Sequence, residues 1–136
     1  MAEHKLLCEV VSPERIVYSG EADMVVATGV EGELGIMAKH VPLVVPLEIG
    51  EMRVLNDNEH LHIAVLGGYL EFRDDRLTVL ADAAELAHQI DIARAEAKRQ
   101  ERERELAEAR SGGKKLFEAE VSLKKALVRL KVAKKS

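Results

Sequence analysis

Asp82 to Ala97, D-A-A-E-L-A-H-Q-I-D-I-A-R-A-E-A, is where the chain changes architecture. Before it, apolar residues alternate as they do along strands; after it, almost every residue is a helix former. The stretch divides the 136 residues into a sheet-forming part, 1–86, and a helical part, 87–136. The fold class this predicts is α+β, an N-terminal antiparallel β-sandwich followed by a C-terminal antiparallel two-helix hairpin. Any regulation is expected at this junction, where one architecture meets the other.

Upstream lie short runs rich in Val, Ile and Leu: Lys5 to Val11, Arg15 to Ser19, Asp23 to Thr28, Leu43 to Glu48, Met52 to Leu55, Leu61 to Leu66, Tyr69 to Arg73 and Leu77 to Ala81. Turn formers separate them, among them Ser12-Pro13-Glu14, Ile49-Gly50 and Gly67-Gly68. Strands recurring about every ten residues predict a sandwich or flattened barrel. Asn56-Asp57-Asn58 and Asp74-Asp75 read as hairpin turns, because Asn and Asp tolerate left-handed backbone. Gly29 to Ile36 holds three glycines but lacks the Gly-Lys-Ser/Thr of a phosphate loop, and it leads to Pro42 rather than into a helix. It reads as an exposed loop presenting Glu31 and Glu33, a natural contact surface.

Downstream, Asp91 is placed to cap a first helix over Ile92 to Arg110, a run without Gly or Pro. Its middle is fully charged, with Arg99 and Glu103, Glu101 and Arg104, and Arg102 and Glu105 spaced to pair along one face. Ser111-Gly112-Gly113 ends it. In the second helix Leu116, Ala119, Leu123, Ala126, Leu130 and Ala133 recur at heptad spacing. On the first helix Ile90, Ala93, Ala97 and Ala107 fall on the same period, so the two stripes are expected to face each other. Alanines bury little area, at about 25 cal/mol per Å² of apolar surface. The hairpin is therefore expected to be only weakly held and able to lie in more than one place.

Charge is unevenly spread. Residues 1–90 carry 6 basic and 16 acidic side chains, while residues 111–136 carry 8 and 2. A basic tail on an acidic body can fold back on it or reach another acidic surface. With no Trp, two Tyr and two Phe, the chain offers no platform for stacking bases, and no nucleic-acid partner is expected. Cys8 has no partner for a disulfide, and His40, His60 and His62 lack a third clustered ligand, so no metal site is expected. No Ser, Cys or His nucleophile has a placed base, which argues against an active site of its own. The absence of a long apolar run predicts that the chain meets a membrane only through a partner.

Taken together, Gly32 to Ile36 (G-E-L-G-I), His40-Val-Pro-Leu43, Leu66 to Phe72 (L-G-G-Y-L-E-F), Leu77 to Asp82 (L-T-V-L-A-D) and Ile90 to Ala95 (I-D-I-A-R-A) resemble the epsilon subunit of bacterial F-type ATP synthase. The resemblance covers nearly the whole chain. It implies a non-catalytic rotor subunit of the central stalk, peripheral on the cytoplasmic face of the bacterial cell membrane, whose sandwich binds the gamma subunit and the c-ring. Glu31, Glu33, Leu34 and His40 would form the contact loop. The C-terminal hairpin would act as a brake on ATP hydrolysis, extending into the alpha and beta subunits with a basic tail of Lys124, Lys125, Arg129 and Lys131. A purely structural rotor adaptor without ATP sensing is the alternative.

The segment Ile-Asp-x-x-Arg-Ala also resembles the motif of those members that hold one regulatory ATP, without hydrolysing it, in the folded hairpin. Carried over, Glu85, Ile90 and Asp91 would lie at the adenine and Arg94, Lys125 and Arg129 at the phosphates. Lys125 stands where an Arg is usual, and Glu96 and Glu101 replace frequent basic residues, so ATP is expected to bind weakly. Asp91 and Arg94 also read simply as a helix cap and a surface charge.

Overall fold

The computed structural model describes residues 4–110 and 114–135. Eight strands come first: β1 (Leu6–Val11), β2 (Ile16–Ala22), β3 (Met24–Gly29), β4 (Gly32–Met37), β5 (Leu43–Asn56), β6 (Glu59–Arg73), β7 (Arg76–Ala81) and β8 (Ala84–Leu86). A single 3-10 turn, Ala87–Gln89, leads to α1 (Ile92–Ala109) and α2 (Lys114–Ala133). The Ser111-Gly112-Gly113 break lies outside the described residues. The strands follow one hydrogen-bonded path, β2-β1-β7-β6-β5-β3-β4, with β8 paired to β6 beside it. β1 and β7 run parallel, from Leu7 opposite Arg76 to Val11 opposite Leu80.

This single sheet becomes a sandwich by folding across its two longest strands. Sequence reading divides β5 at Ile49-Gly50 and β6 at Gly67-Gly68, yet they are paired as one ribbon from Leu43 opposite Phe72 to Asn56 opposite Glu59. The apparent breaks have a physical origin. On β6 the core-facing residues are Ile63 and Val65 in one half but Leu70 and Phe72 in the other, a change from odd to even positions. A strand with a two-residue period cannot serve both without a kink. Gly67 and Gly68 supply it, with φ of 88° and 134°. A side chain on Gly68 would also start 2.2 Å from the Leu80 carbonyl oxygen, so only glycine fits.

The core between the two layers is aliphatic, as the composition requires, with Leu6, Val10, Ile36, Met52, Leu77 and Val79 fully covered around Phe72. Cys8 is part of it, and burial pushes its thiol up to about 12, well outside the reactive range. The glycine-rich run 29–35 is a hairpin rather than a loop: β3 and β4 pair from Met24 opposite Met37 to Gly29 opposite Gly32. Ile36 turns inward and is fully buried, while Leu34 packs against the core. Both expected Asn/Asp turns are present, with Asp57, Asp74 and Asp75 all at positive φ.

The hairpin lies on the outer face of the sandwich. Ala64 of β6, Ala87 and Val132 form a second small core, flanked by Ile90 and Val128. Asp91 caps α1, its Oδ1 accepting from the Arg94 amide at 3.1 Å. The buried stripe of α1 differs from the expected one. Ala93, Ala97 and Ala107 are exposed, whereas Ala95 is buried, and Arg99, Arg102, Leu106 and Ala109 are partly covered at the same spacing. Alanine recurs around the whole helix, so its small apolar area could not choose between faces. On α2, Ala126, Leu130 and Ala133 are buried as their heptad predicts.

Candidate functional site: the cleft between hairpin and sheet

A cleft of about 490 Å³ opens where α1, α2 and the sheet converge. Leu66 of β6 and Glu85 of β8 form its floor, and Gln89 and Ile90 close one end. Asp91, the cap of α1, and Arg94, Ala95, Lys98 and Arg102 within it form one wall, and Ser122, Lys125, Ala126 and Arg129 of α2 the other. Spacings of three and four keep each set on one helix face. All six residues carried over to the regulatory nucleotide, Glu85, Ile90, Asp91, Arg94, Lys125 and Arg129, line this one cleft.

Its electrostatics favour an anion. Five cationic side chains, Arg94, Lys98, Arg102, Lys125 and Arg129, share the lining with two acids, Glu85 and Asp91. Arg129 Nε lies 2.5 Å from Glu85 Oε1, close enough for an ion pair. Neither atom has a hydrogen bond of proper geometry, although both are buried. The pair is held by charge, and an anion that binds Arg129 has to compete with Glu85 for it. Among the described residues no ion-pair partner is found for the guanidinium of Arg94 or the ammonium of Lys125.

Two cleft cations, Lys98 and Arg102, were hidden in the charged middle of α1. The signal that reveals them is the spacing Arg94, Lys98, Arg102, one residue per turn on one face. Glu96 and Glu101, expected to oppose a phosphate, do not line the cleft. Glu96 pairs with Arg99, which holds its carboxyl below the usual glutamate range, and Glu101 turns to Lys98 at 3.8 Å rather than to Arg104. Arg99 with Glu103 at 2.6 Å and Arg102 with Glu105 at 2.9 Å are the pairs that the spacing predicts.

The four residues assigned to a contact loop do not share one. Glu31 sits at the tip of the β3–β4 hairpin, and Glu33 on β4 is exposed, 3.5 Å from Arg53. Leu34 is half-buried and packs on the core. His40 lies past the far end of β4, its ring edge-on to Phe72 at 6.0 Å and its Nδ1 2.8 Å from the Val41 carbonyl. The basic tail does fold onto the acidic body. Lys124 lies 3.7 Å from Glu48, Arg129 meets Glu85, and Lys135 donates to Glu51 at 2.8 Å. Lys131 is exposed.

Sheet, hairpin and cleft define a class of protein: a folded-over sheet carrying a docked pair of helices, with an anion-suited cleft between them. The pattern of the ATP synthase delta/epsilon chain β-sandwich domain matches residues 5–87, and that of the delta/epsilon chain long α-helix domain matches residues 88–134. The chain belongs to the ATP synthase epsilon chain family. It is 46% identical over 131 residues to the ATP synthase epsilon chain of Dehalococcoides mccartyi, covering 96% of this chain and 94% of that one. To the epsilon chain of Syntrophobacter fumaroxidans it is 43% identical over 136 residues, covering all of both. Among solved structures, a chain in the mitochondrial ATP synthase of Euglena gracilis superposes with a TM-score of 0.79 at 16% identity, covering 95% of this chain and 81% of that one. That likeness concerns the fold.

Proposed function

We propose that the chain is the non-catalytic rotor subunit of a bacterial ATP synthase, joining the gamma subunit to the c-ring on the cytoplasmic face of the membrane. Its hairpin moves between the docked form described above and a form extended among the alpha and beta subunits, where it inhibits ATP hydrolysis. Family membership over the full chain supports the first part. A patch on the outer face of the sandwich supports docking on another subunit. Ile16, Leu80 and Tyr69 are each more than half exposed, and the strand register aligns them across the sheet through Val11. Contiguous exposed apolar surface of this kind marks protein contacts. No helix among the described residues is long and apolar enough to cross a membrane, which suits attachment through partners.

The observation that carries the regulatory part is that the cleft has walls from three separate elements. It exists only while α1, α2 and the sheet lie together, so whatever binds there stabilises the docked hairpin by mass action. ATP fits its chemistry. Glu85 and Asp91 offer acceptor oxygens for an exocyclic amine beside the apolar Ile90, and Arg94, Lys125 and Arg129 offer donors to phosphates. ATP bound here acts as a signal, favouring the docked, uninhibiting form. Weak affinity is expected, because Lys125 meets phosphate as a point charge rather than a planar fork and Glu85 competes for Arg129.

Equilibrium dialysis of labelled ATP against the isolated chain and against Arg94→Ala tests this reading. Saturable binding that the substitution weakens supports it. No binding at millimolar ATP leaves the structural rotor adaptor, a reading favoured by the full burial of Val132 against Ala64 and Ala87.

A further inference from the structure

The cleft is polarised along its length. Its acids and its amide, Glu85, Asp91 and Gln89, gather at the 3-10 turn end. The helices are antiparallel, so Arg102 and Lys98 of α1 share the far end with Ser122 and Lys125 of α2, and no acidic side chain lines it there. From Asp91 to Arg102 the lining of α1 extends about 16 Å at the rise of an α-helix. A compact anion needs neither that length nor five cations.

From this gradient we infer that Lys98 and Arg102 build a second phosphate subsite in the cleft, one turn and two turns beyond Arg94, which takes the terminal phosphates of an elongated polyphosphate ligand. This rests on the nucleotide reading of the cleft proposed above and names the part of it that reads phosphate number. The amine-bearing end of the ligand lies against Glu85 and Asp91, the first phosphate reaches Arg94 and Arg129, and the terminal phosphates reach Lys98, Lys125 and Arg102. The subsite has a competitor. Arg102 is held by Glu105 at 2.9 Å and Lys98 more loosely by Glu101 at 3.8 Å, so a terminal phosphate has to displace carboxylates from both. Glu105 therefore tunes affinity although it does not line the cleft.

The test is calorimetric titration of the full chain with ATP, ADP, AMP and inorganic tripolyphosphate at one fixed salt concentration. The comparison is with the double variant Lys98→Gln, Arg102→Gln and with Glu105→Gln. Glutamine keeps helix propensity, and circular dichroism confirms that each variant folds. The double variant is expected to lose about tenfold or more in ATP and tripolyphosphate affinity and less than about twofold for AMP. Glu105→Gln is expected to tighten ATP, and Arg102→Lys to retain most of the affinity. Equal loss for AMP and ATP, or unchanged ATP binding in the double variant, overturns the subsite while leaving a nucleotide cleft in place. Tripolyphosphate binding that depends on Lys98 and Arg102, without any nucleotide binding, upholds the subsite and removes the nucleotide. Absence of binding by all four ligands removes both.

Discussion

Gly68 carries a tighter constraint than Gly67 beside it, whose added Cβ would meet only the Asp82 side chain. Its φ of 134° is a conformation that side chains avoid, and a Cβ there meets the backbone of Leu80 and Ala81. Gly68→Ala is therefore expected to destabilise the fold by about 3 kcal/mol or more, measured as a shift in the urea midpoint. Gly32→Ala has open space for the added methyl and tests how much of the loss comes from positive φ alone. Residues acting through local chemistry were legible in the sequence. Asp91 is a cap because an amide two or three residues on needs an acceptor, and that need is written in a five-residue window. Lys98 and Arg102 were not, because their role depends on which helix face turns toward the sheet, and a fully charged stretch marks no face.

Two helices resting on a sheet through Val132, Ala87 and Ala64 are held at the C-terminal end by a charged clasp. Glu51, only 12% exposed at its side chain, accepts from Lys135 Nζ and lies 2.8 Å from His62 Nδ1. Burial pushes its carboxyl up, but the bonds from Lys135 and His62 outweigh that and hold it below its ordinary value of 4.5. A carboxyl depressed in the folded state contributes stability above its unfolded pKa and loses it as pH falls through the folded one. Docking of α2 is thus expected to be independent of this group above about pH 5 and to weaken steadily below it. Amide exchange in α2 measured from pH 6 to pH 3 should show faster opening at the acid end. Glu51→Gln should flatten that dependence; a slope unchanged by the substitution excludes the clasp. Sequence reading recovered α2 because leucines mark its seam. It mistook the seam of α1 by two residues because alanines there point in every direction.

At the scale of the whole molecule, the sandwich and the hairpin bury different cores, one around Phe72 and one around Val132. Removing α2 should leave the sandwich folded while uncovering Ala64 and Leu66. In an assembled synthase, deletion of residues 114–136 is expected to raise ATP hydrolysis several-fold, read as phosphate release; unchanged hydrolysis counts against an inhibitory hairpin. The order of architectures was legible because strand and helix periods differ. The crease in the sheet was not: glycine pairs usually end a strand, and only the switch in inward parity shows that the ribbon continues.

The parallel pairing of β1 with β7 sets a schedule on how this chain comes into being. Leu7 finds its neighbour in Arg76, so the first strand leaves the ribosome with one edge open and keeps it open until nearly seventy further residues have been made. Contacts so far apart in the chain close late, after local turns have formed. The helices follow every strand in the chain, so the partners of the whole sheet have been made before the hairpin that rests on it.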